Sequence, residues 1–157
     1  DLEQRRVRCD PMQGLAVVPL FAGFDMRRDA GRLFQYDVTG GRYEESNFAA
    51  TGSGSLHAGT VIKMGFRESQ LREATIDLVI NALFQAADED SATGGPDPIR
   101  GIYPTVATIT GAGFDPVAQT EISDQFAALL ESMTVQTGGA EGGGAPSGGA
   151  LHGGDAR

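Results

Sequence analysis

Apolar and polar positions along the chain alternate with two different periods. In LFQYDV, Phe34, Tyr36 and Val38 share one face while Gln35 and Asp37 share the other, which is the period of a half-buried strand. Thr39-Gly40-Gly41-Arg42 follows and predicts a hairpin turn, because two glycines accept the positive φ that tight turns require. RYEESNFAAT then reads as the return strand. Upstream, LAVVPLFAGF over residues 15–24 is apolar almost throughout and predicts a segment buried on both sides. Pro19 argues against a regular central strand over that whole run. A polar loop, DMRRDAGR, separates it from the hairpin.

The period then changes from two to 3.6. GSGS at residues 52–55 opens a helix predicted to reach about Phe66, with Ser53 or Ser55 placed to cap its free N–H groups. A second helix begins after Ser69 and runs to about Ala87. Leu71, Thr75, Leu78, Ala82 and Ala86 form one of its rows, and Ile76, Ile80 and Phe84 another. So wide an apolar arc predicts cover on more than one side. Burying Leu78, Val79, Ile80, Leu83 and Phe84 contributes about 10 kcal/mol before the ordering entropy is counted.

IYPTVATIT at 102–110 predicts a strand, Gly111-Ala112-Gly113 a turn, and FDPVA a short return. A last helix is predicted from about Glu121 to Met133, with Ile122, Phe126, Leu129, Leu130 and Met133 on one face. Residues 1–9 suit the end of a helix stopped by Pro11. Strands, two helices, two strands and a helix, in that order, predict an α+β fold with layered elements rather than βαβ winding.

Composition changes this picture at the end of the chain. GGAEGGGAPSGGALHGG, residues 138–154, cannot bury enough apolar surface to offset the entropy of ordering, so 135–157 is expected to be a disordered glycine-rich tail. The net charge is −9 and Lys63 is the only lysine, so the basic stripe of a nucleic-acid binder is missing. Arg5, Arg6 and Arg8 suit a solvated helix face. Cys9 is the single cysteine, which rules out a disulfide within the chain and suits a reducing compartment. With no histidine beside it in sequence, it reads as an inert thiol. No apolar run approaches the roughly 18 residues of a membrane span, and the charged start DLEQRRVR is unlike a signal peptide. A chain beginning with Asp suits a processed protein or a fragment.

Two motifs invite chemistry. DEDSATGGPD, residues 88–97, puts Asp88 and Asp90 at positions one and three of a calcium loop, but Ala92, Thr93 and Ile99 fail at five, six and twelve. As a helix stop, Gly94 and Gly95 would supply left-handed conformations and Pro96 would block continuation. That reading leaves the acids unexplained, because they oppose the macrodipole at a helix C-terminus. GSGS lacks the lysine and spacing of a phosphate loop and is not a GxSxG nucleophile turn. His57 reads as a packed or surface histidine, and His152 as solvent-exposed in the tail. Spacing alone gives an α+β chain with a glycine-serine helix start and an acid-hydroxyl-glycine loop.

Taken together, TGSGSLHA, ALFQAADEDSATGGPD and IRGIYPTVATI resemble the β-type subunits of the bacterial 20S proteasome, of the actinobacterial kind. MQGLAVVPLFAGFD and LFQYDVTGG fit the same subunits. The resemblance runs from about Met12 to Met133 and matches residues 1–11 poorly. It divides the chain into an N-terminal remnant (1–11), the C-terminal half of a β-type domain (12–134) and the tail. It implies the C-terminal half of an N-terminal-nucleophile hydrolase, a four-layer αββα sandwich. In that family the hydroxyl of an N-terminal threonine attacks a peptide carbonyl. The free α-amine, whose ordinary pKa is about 8, takes the proton through water.

The first threonine here is Thr39, inside a predicted turn, and the family's lysine lies upstream of the matching region, with Lys63 on a helix instead. The attacking threonine and that lysine are therefore expected from outside these residues. By resemblance, three supporting positions carry over: Ser53, whose hydroxyl approaches the terminal amine, and Asp90 and Thr93, the acid and hydroxyl that orient that serine and the threonine. The implied function is that of a threonine-type endopeptidase core subunit degrading unfolded polypeptides, with other β subunits and α-type ring subunits as partners. The location implied is cytoplasmic, with no cofactor, metal, nucleic acid or membrane. This chain alone is expected to be inactive. The competing reading is a non-catalytic or degenerate ring-forming subunit, or a complementing half. A missing partner layer would leave a sheet face open, so aggregation or dependence on a partner is expected.

Overall fold

The computed structural model describes residues 18–138, with side chains to Val135. The expectations for the first helix, Cys9, the arginine cluster, His152 and most of the tail lie outside those residues. So does the start of the apolar run at 15–24.

The chain opens as a three-stranded antiparallel meander in the order β1-β2-β3. β1 spans Leu20–Asp25, β2 Ala30–Tyr36 and β3 Arg42–Glu45. β1 starts immediately after Pro19, which has no N–H to give a ladder. Leu20 pairs with Gln35 and Asp25 with Ala30; on the other side of β2, Tyr36 pairs with Arg42 and Leu33 with Glu45. The expected polar loop is shorter than its sequence suggests. Asp25 Oδ1 accepts the N–H groups of Arg27 (3.0 Å) and Arg28 (3.3 Å), so the chain turns within four residues and re-enters the sheet at Ala30. The return strand is shorter too, since the chain bends at Ser46 and Asn47.

The expected burial of the 15–24 run on both sides fails where it can be seen. Phe21 is 53 % exposed on an edge strand, while Phe24, further along β1, is half-buried with its ring beside Gly111. The sheet is instead tied together by polar contacts. Arg32 makes a forked ion pair with Glu44 (2.7 and 2.8 Å), and Arg32 and Arg42 both lie against the Phe34 ring (4.9 and 5.2 Å).

Two helices follow, α1 (Ser55–Gly65) and α2 (Arg72–Glu89). They run antiparallel and close together, because small residues line the contact: Ala58, Ala82 and Ala86 are buried there, with Ala50, Val61 and Ile62 packed around them. The other side of α2 meets α3 (Gln119–Gly138). Ile76 and Ile80 of α2 pack with Val117, Ile122 and Phe126. Phe84 and Tyr103 approach Phe126 edge-on, with centroids 5.6 and 6.1 Å apart. The wide apolar arc of α2 is thus met on two sides. Leu83 still stays 38 % exposed, because it points between the two contacts.

The expected strand at 102–110 shrinks to β4 (Ala107–Thr110), paired with β5 (Gly113–Pro116). Ile102 makes only an isolated bridge to Asp97, and Pro104 interrupts the run. α3 starts two residues before Glu121 and continues past Met133 to Gly138, so the first residues assigned to the tail are helical. Its buried positions are Ile122 and Phe126, on the face the spacing predicts, while Leu130 at the edge of that face is 36 % exposed. The described residues form an α+β arrangement, and none of their helices is long and apolar enough to cross a membrane.

Candidate functional site

The antiparallel course of α1 and α2 brings the start of one helix to the end of the other. Ser53 and Gly54 lead into α1; Asp90 ends α2 in an extended conformation (φ −121°, ψ 107°). The backbone then turns back: Thr93 N–H donates to the Asp90 carbonyl at 2.9 Å. This turn puts the Thr93 hydroxyl 2.5 Å from Asp90 Oδ2, to which it donates. Ala92 N–H donates to Oδ1 at 3.2 Å. Ser53, in the loop that leads into α1, lies near the same carboxylate and is the largest influence lowering its pKa. The structure therefore brings Ser53, Asp90 and Thr93 together across 40 residues of sequence.

The charge state follows from these contacts. The nearby Ser53 hydroxyl, then the hydrogen bonds from Thr93 and the Ala92 N–H, hold the Asp90 carboxyl below the ordinary carboxylate value. His57, half-buried one turn into α1, adds a smaller electrostatic contribution in the same direction. Asp90 is thus an anion that accepts from the Thr93 hydroxyl and the Ala92 N–H, with the Ser53 hydroxyl close by. This arrangement leaves each hydroxyl oxygen with lone pairs free to accept from a further donor, such as an ammonium group.

Two details of the sequence reading are corrected here. Neither serine caps α1: the N-cap is Gly54, and no side chain bonds the free N–H groups. Ser53 lies near Asp90 instead. Gly94 and Gly95 have no left-handed backbone, for the positive-φ glycines among the described residues are Gly40, Gly52, Gly101 and Gly113. α2 stops because Asp90 is extended and its carbonyl is taken by Thr93. The macrodipole objection to acids at this helix end is also met for Asp90. Its carboxylate lies beside the N-cap of α1, whose first turn contains no acid, and a helix N-terminus favours an anion.

Gly54 is the residue that spacing did not single out. It is buried, and a Cβ there would lie 2.7 Å from Thr93 Oγ1, 3.1 Å from Ala86 Cβ and 3.4 Å from Asp90 Oδ2. The second glycine of GSGS was the only signal, and it reads equally well as a flexible helix start.

The other candidates lie elsewhere. Lys63 is exposed in the last turn of α1, roughly 14 Å along the axis from Gly54. Thr39 sits in the β2–β3 turn, where its N–H (2.9 Å) and hydroxyl (2.7 Å) both donate to Asp37 Oδ1. Of the two glycines in that turn, only Gly40 takes positive φ (+87°). Gly41 is there for space, since a Cβ would meet Asp37 Oδ2 at 2.6 Å. Among the described residues no cluster of His, Cys, Asp and Glu could hold a metal ion.

Comparison with known proteins bears on the same segments. The family model for proteasome subunits matches residues 2–99, which takes in Ser53, Asp90 and Thr93 and also most of the 1–11 segment that sequence reading set aside. A proteasome subunit beta from Streptomyces griseus is 53 % identical over 128 residues. That alignment covers 82 % of this chain and 46 % of the Streptomyces protein, so the chain spans about half the length of that relative. With a family match over more than half its residues and this identity over most of them, the chain belongs to the proteasome subunit family.

Proposed function

We propose that these residues are the C-terminal half of a proteasome core β subunit, and that Ser53, Asp90 and Thr93 support a threonine nucleophile supplied from outside them. The observation that carries this is the meeting of Ser53 with the hydrogen-bonded Asp90–Thr93 pair at the junction of α1 and α2. The N-terminal amine of a nucleophilic threonine needs a partner that accepts from its ammonium form and holds it near the attacking hydroxyl. Ser53, beside the Asp90 carboxylate, has that capacity: a hydroxyl that turns its proton to the carboxylate keeps lone pairs for a donor. The α+β arrangement fits half of an αββα sandwich, with α1, α2 and α3 as one helical layer. The exposed Leu20 and Phe21 of β1 fit against strands outside these residues. A cytoplasmic particle of stacked rings, with other β subunits and α-type subunits as partners and unfolded polypeptides as substrates, completes the reading.

None of the threonines from Thr39 onward is a candidate nucleophile in this scheme, and Thr39 itself is bound into a turn. Support cannot replace an absent attacking group. The 157-residue chain by itself is therefore inactive, and particles assembled from subunits that contain it together with the upstream threonine segment hydrolyse peptides. A fluorogenic peptide assay on both preparations tests this. Turnover by the chain alone, blocked by a threonine-directed inhibitor, overturns the assignment of the nucleophile. Assembled particles with no turnover favour the ring-forming, non-catalytic alternative.

A further inference from the structure

Gly54 has a negative φ, −82° with ψ 7°, the conformation of the third residue of a type I turn, which is open to residues other than glycine. Conformational freedom is therefore not the reason for a glycine here. Helix capping is not the reason either, since Ser, Asp or Asn at an N-cap normally stabilise a helix more than glycine does. What glycine provides is space. The position is buried, and three groups close on the point a Cβ would occupy: the Thr93 hydroxyl, the Ala86 methyl and the Asp90 carboxylate.

We propose that Gly54 is a positioning residue, whose missing side chain sets the spacing of Ser53, Asp90 and Thr93. Any Cβ must push the Thr93 hydroxyl outward, because 2.7 Å is well inside contact distance and Ala86 blocks retreat along the helix. The loop has room to yield. Thr93, Gly94 and Gly95 border an apolar cavity of about 190 Å3 whose far wall includes Ile80, Tyr103 and Phe126. Hydrogen bonds rather than packing thus fix where the loop sits, and a displaced Thr93 would loosen its bond to Asp90. Ser53, adjacent to Gly54 in the chain, would move with the helix start. The role rests on the proposed reading of this network as support for a threonine nucleophile.

The test reads the network directly rather than through turnover. In the full chain, the Asp90 carboxyl is titrated by carbon NMR for the native protein, Gly54→Ala, Gly65→Ala and the double variant Gly54→Ala/Thr93→Ala. Gly65 is an informative control, because it is equally crowded, against Leu78, at the opposite end of α1. Gly54→Ala is expected to raise the Asp90 midpoint toward the ordinary carboxylate value. Gly65→Ala is expected to lower stability and leave that midpoint in place. The double variant removes the crowded hydroxyl, so it is expected to unfold at higher denaturant than Gly54→Ala alone while its Asp90 midpoint stays raised. If Gly54→Ala is too unstable to titrate, this gain in the double variant decides the matter. An unmoved Asp90 midpoint in folded Gly54→Ala, or a double variant no more stable than the single, overturns the proposal. Neither result depends on peptidase activity, so failure of the positioning role is separable from failure of the functional reading.

Discussion

The helical layer and the three-stranded sheet of this molecule are held by different forces. Among the described residues, every buried apolar residue lies in α1, α2 or α3, apart from Val117 just before α3. No residue of β1, β2 or β3 is buried, and Leu20, Phe21 and Tyr43 are each more than a third exposed. The sheet relies on a forked arginine pair, two arginines on Phe34 and an aspartate-centred turn. Helices α2 and α3 bury each other's apolar faces; β1 touches β4, but no residue of the three-stranded sheet is buried by it. The candidate site belongs to the self-sufficient region, which is why its geometry is formed without a partner.

Two phenylalanines give the sharpest contrast. Phe126→Ala removes a buried ring held by Phe84 and Tyr103 and should cost about 3–5 kcal/mol in urea unfolding of the chain. Phe21→Ala removes a half-exposed ring whose edge-on contact is Tyr36 at 5.7 Å, and should cost about 0.5–1.5 kcal/mol. Similar costs at the two positions would mean that the sheet is covered in solution.

Acid should act on the sheet's turn. Asp37 accepts from the Thr39 hydroxyl, the Gly41 N–H and the Tyr43 hydroxyl, and its pKa falls to about 2 from 3.8. A carboxyl depressed on folding contributes stability that is fully present above its unfolded value and is lost as pH falls through its folded value. Melting temperature should therefore drop between about pH 3.8 and about 2, and Asp37→Asn should flatten that part of the profile. An unchanged profile would remove the turn from the sheet's support.

The smallest effect is expected at the ion pair between α2 and α3, where Arg72 meets Glu121 at 2.5 Å with both side chains about a third exposed. Glu121→Gln should cost about 0.2–1 kcal/mol, fading as salt is raised. A larger, salt-independent loss would show that polar contacts matter in the helical layer as they do in the sheet.

Periodicity predicted the order of elements well because each is short and its face is set locally. The hairpin at Thr39–Arg42 and the helices on either side of Ser69 carry their own signals in glycine, serine and i, i+4 spacing. Element ends were harder to read, since they depend on distant partners. β4 is cut short by Pro104 and by the pairing of Ile102 with Asp97, and α3 runs past Met133. The burial expected of β1 failed because an apolar run records what a strand can bury, not whether a cover is present. At the site, Ser53, Asp90 and Thr93 were suggested by resemblance, and spacing alone gave no reason to join GSGS to the acidic loop. Gly54 was missed because space for a neighbour's hydroxyl is a property of the packed pair, invisible in either segment alone.

The central proposal, that Ser53, Asp90 and Thr93 act as one support for threonine chemistry, is tested most directly by steady-state kinetics of assembled particles. These would carry Ser53→Ala, Thr93→Ala and both together, with active sites counted by a covalent inhibitor. Hydrogen bonds to charged groups contribute about 1.5–3 kcal/mol, so each single change should lower kcat by about one to two powers of ten with little change in KM. The double variant should lose less than the product of the two, because both hydroxyls act through Asp90. A kcat equal to that of the unmodified particle in either single variant, with active sites fully counted, would contradict the proposal.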